Sequence, residues 1–270
     1  MEKLEHPLLI VEWVNALLGP LVVAALRPLG IVFHPGEEVI PPFLVMCGLI
    51  VVALTLVSLV ARSRLSVENP GRLQILFEDM VSALGGMLEQ YIGPKGRNYL
   101  TLVATIGIFI LTANLMGLVP GLMAPTSNTN VTLGCALTVW VYYHINGFKE
   151  QGVLGYVKHF TVPPGAPVWM APIYLPIELI SHASRVLSLS VRLFGNIFGE
   201  ELVILILFSI VPFLAPLPMM FLGIITGSLQ AFIFVILTII YLSGAVAVEH
   251  ADDHGQGHEG HDGAPELSAA

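Results

Sequence analysis

Apolar positions in this chain gather into long runs, and the polar breaks between them delimit its elements. The first clear run is Phe43–Ala61, stopped by Arg62 and Arg64, and it is long enough to cross a bilayer as a helix. A second span is predicted over Tyr99–Val119, closed by Pro120 and Gly121. A third follows the polar turn PTSNTN (Pro125–Asn130) and runs from Val131 to about Asn146. Lys149 and Lys158 then fall in a predicted loop that ends in the turn-rich VPPGAP (Val162–Pro167). The longest run is Pro172–Ile210, and after Pro212, Pro216 and Pro218 the last one covers Met219–Val248.

Two stretches have a different pattern. Asn69 and Pro70 read as an N-cap and a first-turn proline. Beyond them Leu73, Leu76, Phe77, Met80, Leu84, Met87 and Leu88 recur at helical spacing, with Glu78, Asp79 and Glu89 elsewhere, which predicts an amphipathic helix on the membrane surface. Leu8–Leu26 is interrupted by Glu12, Asn15 and Pro20 and reads as an outer-surface helix. With Glu2 and Glu5 beside Lys3 it lacks the basic segment of a cleaved signal peptide.

Composition sharpens this picture. The chain is 55% hydrophobic and 11% charged, where a soluble domain carries about 25% charge. The fold class is therefore an all-α polytopic membrane protein: five transmembrane spans plus an interfacial helix, the last two long helices forming a hairpin. Five crossings place the termini on opposite sides. Arg62, Arg64, Arg72, Lys95, Arg97, Lys149 and Lys158 fall on one side, and only Lys3 and Arg27 on the other, so the N-terminus is expected outside and the C-terminus in the cytoplasm. The net charge of −8 comes mostly from a tail rich in acids and histidines, and nothing indicates a nucleic-acid partner. Three regions follow: an outer extension (1–40), a membrane channel domain (41–248) and a disordered cytoplasmic tail (249–270). Cys47 and Cys135 lie in apolar runs and suggest neither a disulfide framework nor a metal site. Trp13, Trp140 and Trp169 read as interface anchors.

Candidate chemistry concentrates in Pro172–Ile210. As one helix it would reach about 60 Å, twice the roughly 30 Å of a bilayer's hydrocarbon, so it cannot stand upright. At ~100° per residue, Glu178, Ser181, Arg185, Ser188, Arg192, Asn196 and Gly199 fall within about 40° of one direction, while Glu201 points about 180° away and Glu200 lies between. An arginine in mid-span costs on the order of 3 kcal/mol. Arg192 is thus expected to face protein, water or a partner's acid; a structural ion pair inside the bundle is the competing reading. Glu178 lies about 21 Å before Arg192 toward the inner face, and Glu200 and Glu201 lie beyond it toward the outer face. A fixed cation between two acids would obstruct a continuous proton file. It suits a device that keeps two half-paths apart. Asn114 either bonds a neighbouring helix or lines a polar path, and His182, about 80° off the stripe, is open to packing or proton relay.

The runs SLSVRLFGNIFGEEL (Ser188–Leu202) and SLQAFIFVILTIIYLSGAVAVEH (Ser228–His250) resemble subunit a of the F-type ATP synthase, a membrane stator channel. So do ANLMGLVP (Ala113–Pro120), NTNVTLGCAL (Asn128–Leu137) and PIELISHASR (Pro176–Arg185). The resemblance covers about residues 41–250. It implies a non-catalytic subunit of a bacterial inner-membrane complex, packed beside a ring of c subunits that each carry a membrane carboxylate, with a subunit b stalk and the remaining synthase subunits as partners. No cofactor or metal is implied. Arg192 matches the stator arginine, Glu201 the acid of the outer half-channel and Glu178 that of the inner one; Asn196, Gln230 and Asn114 match polar channel residues. The stripe through Ser188 and Arg192 would face the ring. Where relatives place a histidine or acid early in the last helix, Gly223–Ser228 has no ionisable group, which leaves Glu200 or water to serve the outer path. A hairpin turn near residue 215 would set Gln230 opposite residue 200, roughly 12 Å from the level of Arg192. Without the resemblance, the strongest alternative is a stand-alone secondary ion transporter, which would favour repeated halves; none is visible.

Overall fold

The computed structural model describes residues 9–26, 39–63, 65–66, 70–119, 121–161, 168–211 and 214–246. The acidic tail, the VPPGAP turn, Arg64 and Asn69 lie outside them. All regular structure among the described residues is helical: α1 (Leu9–Leu26), α2 (Pro42–Ser63), α3 (Arg72–Ile92), α4 (Leu100–Met116), α5 (Thr129–Thr161), α6 (Ala171–Ile210) and α7 (Pro216–Val246), with short 3-10 turns at Pro94–Tyr99, Pro125–Ser127 and Val168–Met170.

Packing is organised around α7. Its buried positions Gly223, Gly227, Gln230, Ala231, Phe234, Thr238 and Leu242 recur every three or four residues, which lines one face of a 3.6-residue helix. Helices α4, α5 and α6 all pack against it. Small residues let the α4 and α7 backbones approach: a Cβ at Gly107 would press on Val235, and one at Gly227 would sit 3.3 Å from the Cβ of Asn114. In hydrocarbon, where apolar burial drives no association between helices, such close contacts and interhelical hydrogen bonds hold bundles together. One such bond joins α5 to α6, Thr132 Oγ1 to Ser190 Oγ at 3.1 Å, with both residues buried. By contrast α2 exposes Val51, Val52, Leu56, Val57, Leu59 and Val60, a surface fit for lipid or another apolar chain.

The predicted boundaries are largely recovered. Four helical stretches are long and apolar enough to cross a membrane: Pro42–Ser63, Pro94–Met116, Ala171–Ile210 and Pro216–Val246. Helix α5 has the length but carries Asn130, Thr132, Tyr142, Tyr143, His144 and Asn146, which lower its apolarity. It also continues to Thr161 where a loop was expected, so Lys149 and Lys158 lie on helical backbone. The break is at Gly152, whose φ of 72° is left-handed and suits a residue without Cβ. Beyond it Tyr156 turns back onto Gly147, where a Cβ would collide with the phenol ring. Lys95 ties the same end to the turn after α3 through a 3.0 Å bond to Glu150. Helix α3 starts at Arg72 with Gly71 as N-cap, two residues later than Asn69 and Pro70 suggested. Its second half packs on the core through Leu84, Met87 and Leu88, while Leu76, Phe77 and Val81 stay exposed.

Helix α1 docks on α2 by burying Val11 against Val45 and Met46. Asn15 fastens the join, donating to the Ile40 carbonyl at 3.0 Å and accepting from the Ile40 amide at 2.8 Å. Trp13 and Trp169 are exposed, as anchors would be, but Trp140 is half-buried and lies against His144 with ring centroids 4.3 Å apart.

Candidate functional site

Helices α6 and α7 run antiparallel, and three contacts set their register. Arg185 stacks over the Tyr241 ring at 5.4 Å, Asn196 donates to Gln230 at 2.7 Å, and Thr226 donates to Glu200 at 3.1 Å. Gln230 therefore lies opposite Asn196, one helical turn from Arg192 (about 6 Å) rather than two. The expected offset was too large because α7 already begins at Pro216, leaving a shorter reversal than a turn centred on residue 215 assumed.

The stripe on α6 divides into three. At its ends the polar residues are tied to the bundle: Glu178 to His182, Arg185 to Tyr241, Asn196 to Gln230. Arg185 is thus half-buried against its own chain. In the middle, Ser188 and Arg192 are exposed. Among the described residues no carboxylate comes within ion-pair distance of Arg192, whose nearest polar neighbour is the Ser188 hydroxyl at 3.5 Å. The side of α6 away from Arg192 is buried through Leu189, Leu193 and Ile197. This cation points off the subunit.

Beyond Arg192 the two adjacent acids diverge. Glu201 turns to the α4–α5 connection, where its Oε1 accepts from the Ala124 amide at 3.1 Å. Glu200 turns to α7, accepts from Thr226 and fills the space above Gly223, where any Cβ would collide with its carboxylate. The glycine thus makes the niche that the acid occupies. A cavity of about 230 Å³ runs along this seam, lined by Asn196, Glu200, Gly223, Thr226 and Gln230 among apolar neighbours. Gln230 is 2% exposed, and its Nε2 has no hydrogen-bond partner among the described residues. Asn114, 4% exposed, donates to the Gly227 carbonyl at 3.0 Å and accepts from the buried Thr126 hydroxyl at 2.8 Å. The bond to Gly227 is the interhelical bond of its first reading.

One prediction follows from the niche. Gly223→Ala should expel the Glu200 carboxylate, break its bond to Thr226 and lower the unfolding temperature of the purified protein by a few degrees. An unchanged unfolding temperature would show that this position of Glu200 is dispensable.

On the other side of Arg192, Glu178 lies 3.1 Å from His182 Nε2, and His182 Nδ1 lies 2.7 Å from the Tyr143 hydroxyl. The sequence signals for Gly223 and Thr226 were present but weak: seven and four residues before Gln230, both share its helix face. Nothing in the sequence pairs Tyr143 with His182, a contact between α5 and α6 made only by packing.

The family described as ATP synthase A chain matches residues 43–243. ATP synthase subunit a 3 of Pelobacter propionicus is 41% identical over 245 residues, covering 91% of this chain and 99% of that protein. ATP synthase subunit a of Citrifermentans bemidjiense is 42% identical over 246 residues, and that of Geobacter sulfurreducens 40% over 245, each with the same coverage of both chains.

Proposed function

This chain belongs to the ATP synthase A chain family, as subunit a of the membrane sector, and from that premise we propose that it carries two proton half-paths separated by Arg192. The observation that supports this best is the exposure of Arg192 at mid-helix with no acid beside it among the described residues. A buried or bare guanidinium in a membrane needs an anion, and a carboxylate passing on a neighbouring rotor ring would supply one.

The outer half-path runs past Glu201 and Glu200, along the cavity lined by Asn196 and Gln230, toward Arg192; the cavity has room for water at about 30 Å³ per molecule. Asn114 braces its wall. The inner half-path opens at Glu178. In this scheme the chain has five crossings, α5 being one of them, with its N-terminus outside and its C-terminus in the cytoplasm. A rotor carboxylate reaching Arg192 is stabilised as the anion and releases its proton to the inner path. Another takes a proton from the outer path through Glu201 and re-enters lipid neutral, since a charged carboxylate there would cost several kcal/mol. The gradient thereby biases rotation of the c ring, against which subunit b and the rest of the complex hold this subunit still.

Cross-linking tests the arrangement. With Cys47 and Cys135 replaced by alanine, Ser188→Cys should form a disulfide with a cysteine placed beside the rotor carboxylate. Leu193→Cys, at a position with no exposed surface, should not. A Ser188 variant that fails to cross-link while Val57→Cys on α2 succeeds would overturn this reading and move the rotor to another face.

A further inference from the structure

The scheme above uses Glu178 but leaves unused a buried polar chain that ends on it. His182 is 7% exposed, on the face of α6 that is buried against the rest of the bundle. It bridges the Tyr143 hydroxyl at Nδ1 (2.7 Å) and the Glu178 carboxylate at Nε2 (3.1 Å). Among the described residues, Glu178 and Arg185 from its own helix and Tyr143 and His144 from α5 face it, with Tyr156 beside His144 and Tyr241 beside Tyr143. The Arg185 guanidinium lies beside the Tyr143 hydroxyl.

The carboxylate end of the chain fixes the direction of every bond in it. A carboxylate only accepts, so the neutral imidazole carries its hydrogen on Nε2 and gives it to Glu178. Nδ1 is then the acceptor, and the Tyr143 hydroxyl donates to it. The neutral ring is satisfied at both nitrogens, so no proton needs to cross it.

We propose that His182 is a positioning residue for the inner half-path: its Nε2–H, held in that tautomer by Tyr143, anchors one oxygen of Glu178 at the mouth. The carboxylate side chain is still 37% exposed, so it stays open to exchange with water while its orientation is fixed. This rests on the reading of Glu178 given above.

The test uses the whole complex reconstituted in vesicles and four variants. Glutamine can accept from Tyr143 through Oε1 and donate to Glu178 through Nε2, but it cannot carry a proton. His182→Gln should therefore keep proton-driven ATP synthesis within about threefold of the unmodified complex, while His182→Leu at normal complex yield should lose about tenfold, the size of one lost hydrogen bond to a charged group. Tyr143→Phe, which keeps the ring and frees Nδ1, should lose about threefold. If His182→Gln is as poor as His182→Leu, the ring must titrate and the positioning role fails. If both are normal, His182 only packs, and the role fails again. Should His182→Leu not assemble, His182→Gln and Tyr143→Phe decide, and a fully active Tyr143→Phe is a refutation. Glu178→Gln is the separate control: full activity there would remove the inner-path reading itself, whatever the histidine variants do.

Discussion

Replacing Arg192 by alanine is expected to abolish proton-driven ATP synthesis, by at least about a hundredfold, while the complex still assembles. The size follows from electrostatics: opposite charges 4 Å apart attract by about 4 kcal/mol at an effective dielectric near 20, roughly a thousandfold in an equilibrium. That attraction is what would strip the proton from an arriving rotor carboxylate. Assembly should survive because, among the described residues, the guanidinium makes no ion pair and its one close polar side-chain contact is a 3.5 Å approach to Ser188. The second half of the expectation is a gain. With the barrier removed, vesicles bearing the variant should leak protons passively through the complex, detectable as faster collapse of an imposed gradient. Normal synthesis, or loss of synthesis through failed assembly, would contradict the assignment.

Glu201→Gln should have the next largest effect, slowing proton flux by about one to two orders of magnitude. Glutamine can keep the acceptor that receives the Ala124 amide, so the connection between α4 and α5 should hold its shape. What it loses is the exchangeable proton. Glu201→Asp, which titrates but sits one methylene short, should fall between the two. The control is Lys149→Gln, an exposed change on α5 remote from the hairpin acids, which should remain within about twofold. Equal effects at Glu201 and Lys149 would argue against any role of the carboxylate in the path.

Much of this architecture was legible in the residues, and the limits have physical causes. Apolar runs bounded by arginine, proline and glycine placed α2, α4, α6 and α7 to within a few residues, because an element that must satisfy its own backbone in lipid has to be helical throughout. The stripe on α6 was legible for the same reason, since angles around a helix follow from sequence spacing alone. Angles do not reveal which neighbour a side chain meets. Arg185 and Arg192 share a direction, yet one finds Tyr241 and the other finds no acid among the described residues. The end of α5 was misjudged because Lys149 and Glu150 mark the end of apolarity, not of the helix. The niche of Glu200 was invisible because it consists of a missing Cβ on another helix. Gln230 was displaced by one turn because a register depends on where the reversal ends, and α7 starts earlier than expected.

The 40 residues of α6 have one more consequence. A rod of about 60 Å inside a slab of about 30 Å inclines near 60° from the normal. Glu178 and Glu200, about 33 Å apart along the rod, would then differ by roughly 16 Å in depth and nearly 30 Å sideways. Upright neighbours sliding past would meet the two acids one after the other, with the cation between them. In the proposed scheme, a slope in one static helix would thereby convert a difference in depth into an order of events.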